Sequence, residues 1–159
     1  MQHGNPAQGD VVDALLVASR ALVGVAARSL ADIDVTLPQY RALVVVGTRP
    51  AVTVGDLASA LDIHPTTATR MCDRLVAKRL LRRVHAAGDR RAVELHVTAA
   101  GRRLLQRVVE RRRRDLAVIV DRLGPDVAES SVRSLTAFAE AAGEESRALD
   151  PLGWSATGS

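Results

Sequence analysis

A mainly α fold with one small β-hairpin is what this sequence predicts, and three observations carry the prediction. Apolar residues recur at helical spacing through most of the chain. A short helix over Val54–Leu61, a tight break at residues 62–64 and a second helix starting at Pro65 or Thr66 make a helix-turn-helix. Behind it, LLRRVHAAGDRRAVELHVT reads as two alternating runs joined by a basic, Gly-containing tip. A helix-turn-helix followed by a basic hairpin is the sequence picture of a winged helix-turn-helix, a shape that binds duplex DNA.

Residues 1–9 are polar with Gly and Pro and read as a flexible N-terminus. Residues 10–31 follow as a helix, with Leu15, Ala18, Leu22, Val25 and Ala26 at helical spacing. Leu16 and Val23 widen that stripe beyond what one surface helix needs, so it serves either a wide core contact or a dimer contact. Thr36 caps the next helix, Gln39 completes a capping box and Pro38 sits in the first turn. That helix runs through Leu43 and Val46 to about Gly47, ahead of the Arg49-Pro50 break. Residues 51–53 are expected to form a very short strand, because two strands alone are marginal.

Leu57, Ala58 and Leu61 face inward from Val54–Leu61. In the helix after the break, Ala68, Met71, Cys72, Leu75 and Val76 make the buried stripe. Thr66, Thr67, Thr69, Arg70, Asp73 and Arg74 fill the other face. Three threonines are poor helix formers, so packing has to hold this segment. Hydroxyls and guanidinium groups at a helix start suit phosphates and base edges, and the positive helix end favours a phosphate.

After Leu80 the period becomes two: Leu81, Arg83 and His85 alternate with Arg82, Val84 and Ala86. On the return, Ala92, Glu94 and His96 alternate with Val93, Leu95 and Val97. A four-residue tip at about residues 87–90 closes the hairpin, with Gly88 free to take positive φ. Thr98 reads as the N-cap of a long helix to Arg122 carrying Leu104, Leu105, Val108, Val109, Leu116, Ile119 and Val120. Gly124-Pro125 stops it and starts a last helix, to about Ala148, with Val127, Val132, Leu135 and Phe138 as its apolar series. Residues 150–159 form a Pro, Gly and Ser tail with one Trp, either flexible or docked on a partner subunit.

Charge is distributed unevenly. Between Arg70 and Arg114 lie 15 of the 22 Lys and Arg residues against four acids, a net +11, while the remainder holds 7 basic and 14 acidic residues, a net −7. One basic block in an otherwise acidic chain suits a polyanion partner. Aromatics are only 2%, so the core must be built from Leu, Val and Ala. The single cysteine forbids an internal disulfide, the N-terminus lacks the zones of a signal peptide, and no long apolar stretch is free of charge. A cytoplasmic protein without a membrane span is expected.

Three stretches resemble the multiple-antibiotic-resistance regulator (MarR) family of bacterial winged helix-turn-helix repressors. Leu37-Pro38-Gln39-Tyr40 with Leu43 resembles the start of its second helix, and Thr66-Thr67-Ala68-Thr69-Arg70 with Leu75 its recognition helix. Asp89-Arg90-Arg91, followed by Leu95, Thr98 and Gly101, resembles its wing and the entry to its long helix. The resemblance implies long dimerisation helices, here residues 10–35 and 99–149, around a winged helix-turn-helix DNA-binding domain at residues 36–98. It favours dimerisation as the use of the wide first stripe. It places the recognition helix in the major groove and Arg91 in the minor groove, with Asp89 orienting an arginine and Arg90 contacting phosphate or groove. Small phenolic or other aromatic acids release members of this family from DNA, and Arg20, Tyr40, Arg41 and Leu43 are the implied effector-pocket residues. One departure is visible: Arg79 stands where the family has Gly to end the recognition helix.

Other features carry less. Four consecutive residues spread around a helix axis, so Arg111 to Arg114 cannot all meet one groove. They read as a solvated face paired to Glu110, Asp115 or a partner subunit, or as long-range attraction for DNA. Cys72 falls on an apolar stripe and reads as a small core residue. His3, His64, His85 and His96 lack metal-ligand spacing; His64, just before the recognition helix, touches phosphate or fills the turn. No nucleophile elbow, Gly-rich phosphate loop or metal motif is present, so neither catalysis nor a cofactor is expected. The expected function is a homodimeric, sequence-specific transcriptional regulator, a repressor released by a small molecule, on a pseudo-palindromic operator. The alternatives are a nonspecific architectural DNA-binding protein and a winged-helix protein-interaction module. DNA-contact candidates are His64, Thr66, Thr67, Thr69, Arg70, Arg74, Asp89, Arg90 and Arg91.

Overall fold

Four helix starts in this chain are set by side chains that satisfy free backbone N–H groups. The computed structural model describes residues 6–86 and 89–143, with side chains described for 8–85 and 92–143. Its elements are α1 (Pro6–Leu30), α2 (Leu37–Thr48), α3 (Val54–Leu61), α4 (Pro65–Ala77), β1 (Leu81–Ala86), β2 (Asp89–Val97), α5 (Ala99–Val120) and α6 (Pro125–Ala141). Thr36 and Gln39 form the expected reciprocal box: Gln39 N donates to Thr36 Oγ1 at 3.4 Å, and Thr36 N donates to Gln39 Oε1 at 3.1 Å. Thr53 and Asp56 repeat the device on α3, and their bonds hold the Asp56 carboxyl below its ordinary range.

The core lies where α2, α3, α4, the hairpin and the first half of α5 meet. Leu43, Leu57, Leu75, Leu81, Leu105 and Val108 are its largest fully enclosed side chains. β1 pairs antiparallel with β2, setting Leu81 opposite Val97 and Arg83 opposite Leu95. Opposed residues share a face, so one side of the hairpin closes the core. The short strand expected at residues 51–53 is a single bridge, Val52 with Leu95, where Leu95 N donates to Val52 O at 2.7 Å. Ala51 has φ 51°, which keeps Ala51 itself out of a regular ladder.

Three boundaries differ from the sequence reading. α1 begins at Pro6 rather than residue 10, so only residues 1–5 of the expected flexible N-terminus lie outside the described residues. A proline suits a first helical turn because its missing N–H is unneeded there. β2 begins at Asp89, inside the expected four-residue tip, while Ala87 and Gly88 lie outside the described residues. α6 ends at Ala141 rather than near Ala148, with Gly143 at φ +77° just beyond. Glycine takes the left-handed conformation that ends a helix without steric cost. The tail at residues 150–159 lies outside the described residues.

Arg79 adopts the left-handed conformation, φ 58°, at the position of the departure. Arg79 N donates to Val76 O at 2.8 Å and Leu80 N to Leu75 O at 2.9 Å, which is the pair of bonds of a Schellman C-cap. A non-Gly residue there costs on the order of 1 kcal/mol. The turn keeps its shape because Leu80 is anchored in the core and Thr98 Oγ1 donates to Arg79 O at 2.7 Å.

Candidate nucleic-acid interface

The turn between α3 and α4 sets the angle at which α4 leaves the core. Asp62 closes α3 with φ 51°, a conformation Asp tolerates better than most residues, and Ile63 N donates to Ala58 O at 3.0 Å. Pro65 then opens α4, with Ala68, Cys72 and Leu75 fully buried beneath it. Burial pushes the Cys72 thiol upward, partly opposed by the Arg83 guanidinium. It therefore stays a protonated core side chain rather than a reactive thiolate.

The opposite face of α4 exposes Thr66, Thr67, Thr69, Arg70, Asp73 and Arg74. Thr69 Oγ1 donates to Pro65 O at 3.0 Å, so its proton is used within the helix. Asp73, the one acid on this face, is held by Arg83 from β1 at 2.7 Å. Arg70 and Arg74 have no ion-pair partner among the described residues. The face is therefore cationic and rich in hydroxyls, with its acid already neutralised, as a phosphate-lined groove requires. His64 precedes it as the N-cap: Thr66 N donates to His64 Nδ1 at 3.2 Å. Of the two expectations for His64, filling the turn is what the geometry contains.

Asp89, Arg90 and Arg91 open β2, and their side chains lie outside the described residues. The base of the hairpin is tied down firmly. Thr98 N donates to Leu80 O at 3.0 Å, and Gly101 N donates to Thr98 Oγ1 at 3.1 Å. Gly101 permits this approach, since a Cβ there would lie 2.4 Å from Leu80 O.

The four effector-pocket candidates do not share one environment. Leu43 is fully enclosed in the core, Tyr40 is buried, and Arg20 and Arg41 are exposed. None of the four lines the shallow clefts beside α5, which are walled by residues such as Arg103, Arg107 and Arg111. Tyr40 instead meets a residue outside the expected set. Arg112 from α5 lies over its ring, 4.5 Å from the centroid, and Arg112 Nε donates to buried Ser29 Oγ at 3.0 Å. Arg112 Nη2 is buried with no hydrogen-bond partner among the described residues. Burial raises the Tyr40 phenol above its ordinary range, and the nearby guanidinium partly opposes this. The uniformly solvated Arg111–Arg114 face is thus corrected: Arg112 turns inward, and Arg111 pairs with Asp32 at 2.9 Å rather than with a neighbour on α5. Asp115 pairs with Arg28 of α1 at 3.5 Å. Among the described residues no three His, Cys, Asp or Glu side chains converge as metal ligands, and no helix is long and apolar enough to cross a membrane.

Helix-turn-helix, hairpin and long flanking helices together define a winged helix-turn-helix protein of the transcription-regulator class. A family profile described as MarR family matches residues 33–92. Rv1404 from Mycobacterium tuberculosis is 38% identical, with a TM-score of 0.81 over 89% of this chain and 98% of that one. The chain belongs to the MarR family, whose members are non-catalytic DNA-binding regulators. The HTH-type transcriptional regulator YhbI of Bacillus subtilis is 31% identical over 78 residues, 49% of this chain and 51% of its own. The chain spans about half the length of the curated relatives it matches. S. aureus MepR has the same fold, with 21% identity and a TM-score of 0.71 for one mutant over 82% of this chain and 96% of that one. It is also known bound to an oligodeoxyribonucleotide and bound to ethidium bromide.

Proposed function

We propose that the chain acts in the cytoplasm as a homodimeric, sequence-specific transcriptional repressor that leaves its operator when a small aromatic acid binds. The observation that carries the DNA half is the exposed Thr66, Thr67, Thr69, Arg70 and Arg74 face, with Asp73 neutralised by Arg83. MepR, of the same fold, binds an oligodeoxyribonucleotide, which supports the same use here. Residues 36–98 read DNA, and the terminal helices join two copies. The paired recognition helices then meet major grooves roughly 34–36 Å apart on a pseudo-palindromic duplex. Support for an effector comes from Arg112, whose buried Nη2, beside the Tyr40 ring, lacks a partner among the described residues.

Electrophoretic titration against genomic fragments, including the region upstream of its own gene, tests the regulator reading. One preferred fragment supports it; equal affinity for all fragments favours a nonspecific architectural protein instead. Arg70→Ala is expected to lose discrimination at one or more operator positions, by about 1–3 kcal/mol, while weaker nonspecific binding partly survives. Binding to the operator and to a scrambled duplex at one salt concentration measures this. Equal loss on both reassigns Arg70 to phosphate contact or folding.

The wing enters the proposal through Arg91, with Asp89 orienting an arginine and Arg90 beside it. A cation carried into a narrow minor groove meets enhanced negative potential. Arg91→Ala is expected to weaken operator binding and reduce the salt slope by about one phosphate-equivalent, leaving helicity and assembly intact. Titrations at several salt concentrations check it, and an unchanged slope in a folded protein removes Arg91 from the interface.

A further inference from the structure

Of the 22 Lys and Arg residues, Lys78 is the sole lysine. It is the C-cap of α4, where its N donates to Arg74 O at 3.0 Å. Its side chain reaches 44 residues back along the chain to Asp34, in the connection between α1 and α2. There Nζ pairs with Asp34 Oδ1 at 3.0 Å and also donates to Asp34 O. A compact ammonium can aim separate donors at the carboxylate and the carbonyl of one residue, whereas the planar guanidinium fork suits the two oxygens of one carboxylate. Lysine rather than arginine therefore fits this position.

The connection that Lys78 holds is fastened on its other side as well. Asp32 pairs with Arg111 of α5 at 2.9 Å, and between the two acids Ile33 packs against the core. Beneath lies an open cleft lined by Ile33, Lys78, Leu80, Leu104 and Arg107, so the ion pair with Lys78 bridges a gap that close packing does not fill. We infer that Lys78 is a positioning residue for DNA recognition: its clamp on Asp34 fixes the angle of α4 to α1, and with it the separation at which two copies present their recognition helices. The inference rests on the reading of α4 as the helix that meets DNA and of α1 as a dimer helix. α1 is anchored in its own chain at Val25 and Leu30, just before the clamped connection. A rotation of α1 at the dimer contact thus reaches α4 through residues 31–35. A second half-site adds affinity only while both helices are held at the spacing of the grooves. The Asp34 side chain is 94% exposed, so the pair adds little to stability, and its consequence lies in orientation.

Lys78→Met keeps an unbranched side chain without the charge, and Asp34→Ala breaks the ion pair from the other end. Both full-length variants are expected to melt and assemble like wild type. The test is titration with the preferred operator and with copies whose half-sites are moved apart or together by one or two base pairs. Wild type is expected to favour one spacing, and each variant to flatten that preference about tenfold, the scale of a lost hydrogen bond to a charged group. The double variant should be no worse than Lys78→Met alone, because both changes break one contact. Charge by itself predicts another pattern: losing Asp34 tightens binding to every duplex, and losing Lys78 weakens it on every duplex. Those opposite and additive effects, a spacing preference unchanged in the variants, or a wild type indifferent to spacing overturns the clamp. A wild-type protein that is monomeric, or that prefers no duplex, removes the regulator reading itself. That outcome is distinct from a dimeric, operator-specific protein in which Lys78 and Asp34 are silent.

Discussion

Gly101→Ala is expected to destabilise the protein by about 2–3 kcal/mol and to disable DNA binding with it, although alanine is the better helix former. Helix propensity alone predicts a gain of about 1 kcal/mol for this change. Packing predicts the opposite sign. The added Cβ would lie 2.4 Å from Leu80 O and 2.7 Å from Val97 Cγ1. Leu80 O cannot simply withdraw, because it accepts from Thr98 N at 3.0 Å while the Thr98 hydroxyl holds the neighbouring Arg79 O at 2.7 Å. Those bonds hold the α4–β1 turn against the start of α5, so relief means lifting the hairpin base away from the long helix. Overpacking of this kind costs about 1–3 kcal/mol or somewhat more, and the backbone contact puts this site at the upper end. A displaced wing also loses its angle to α4. Urea unfolding and duplex titration of the variant decide the sign: a protein as stable as wild type, or more so, would show that the hairpin shifts freely.

Much of the fold was legible because its signals are local. The two capping residues Thr36 and Thr98, the Gly124-Pro125 break and the limits of α3 depend on neighbours within a few residues. The inward stripe of α4 follows from helical period alone, and Ala68, Cys72 and Leu75 are fully buried where that period puts them. Long-range pairings left no such trace. Arg112 reaches Ser29 across 83 residues of chain, a meeting set by the rotation of α5 against α1 and α2 rather than by spacing in either segment. The same holds for Arg83 and Asp73, whose ion pair decides the net charge of the exposed α4 face. Gly143 was a local signal that the period-based extension of α6 to residue 148 overrode. The place of His64 next to α4 is plain from sequence, but its cap depends on a ring rotation that no pattern encodes.

If the chain forms the proposed dimer, Phe138→Asp is expected to leave it monomeric across the micromolar range with its winged domain folded. α6 contributes no buried residue within the single chain, and Val127, Val132, Leu135 and Phe138 each expose 51% or more of their surface. α1 repeats the pattern: Val11, Val12, Leu16, Val17, Leu22 and Val23 are all half exposed or more, whereas its far end is anchored by Val25 and Leu30. Soluble monomers rarely leave so continuous an apolar surface in water, and two facing copies bury both helices at once, as an isologous interface does. An aspartate on that face must either lose its charge or sit unpaired in an apolar contact, at a cost of several kcal/mol. Two copies of the variant incur it twice, so the dissociation constant should rise by at least about a hundredfold. The core formed by α2 to α5 does not use Phe138, and far-ultraviolet circular dichroism should therefore retain the helical signal of that domain. Operator binding should fall steeply, because one winged domain grips only one half-site. Sedimentation equilibrium of both proteins from nanomolar to micromolar concentration makes the comparison. A Phe138→Asp protein that remains dimeric throughout would place the interface elsewhere and leave the apolar face of α6 for another use.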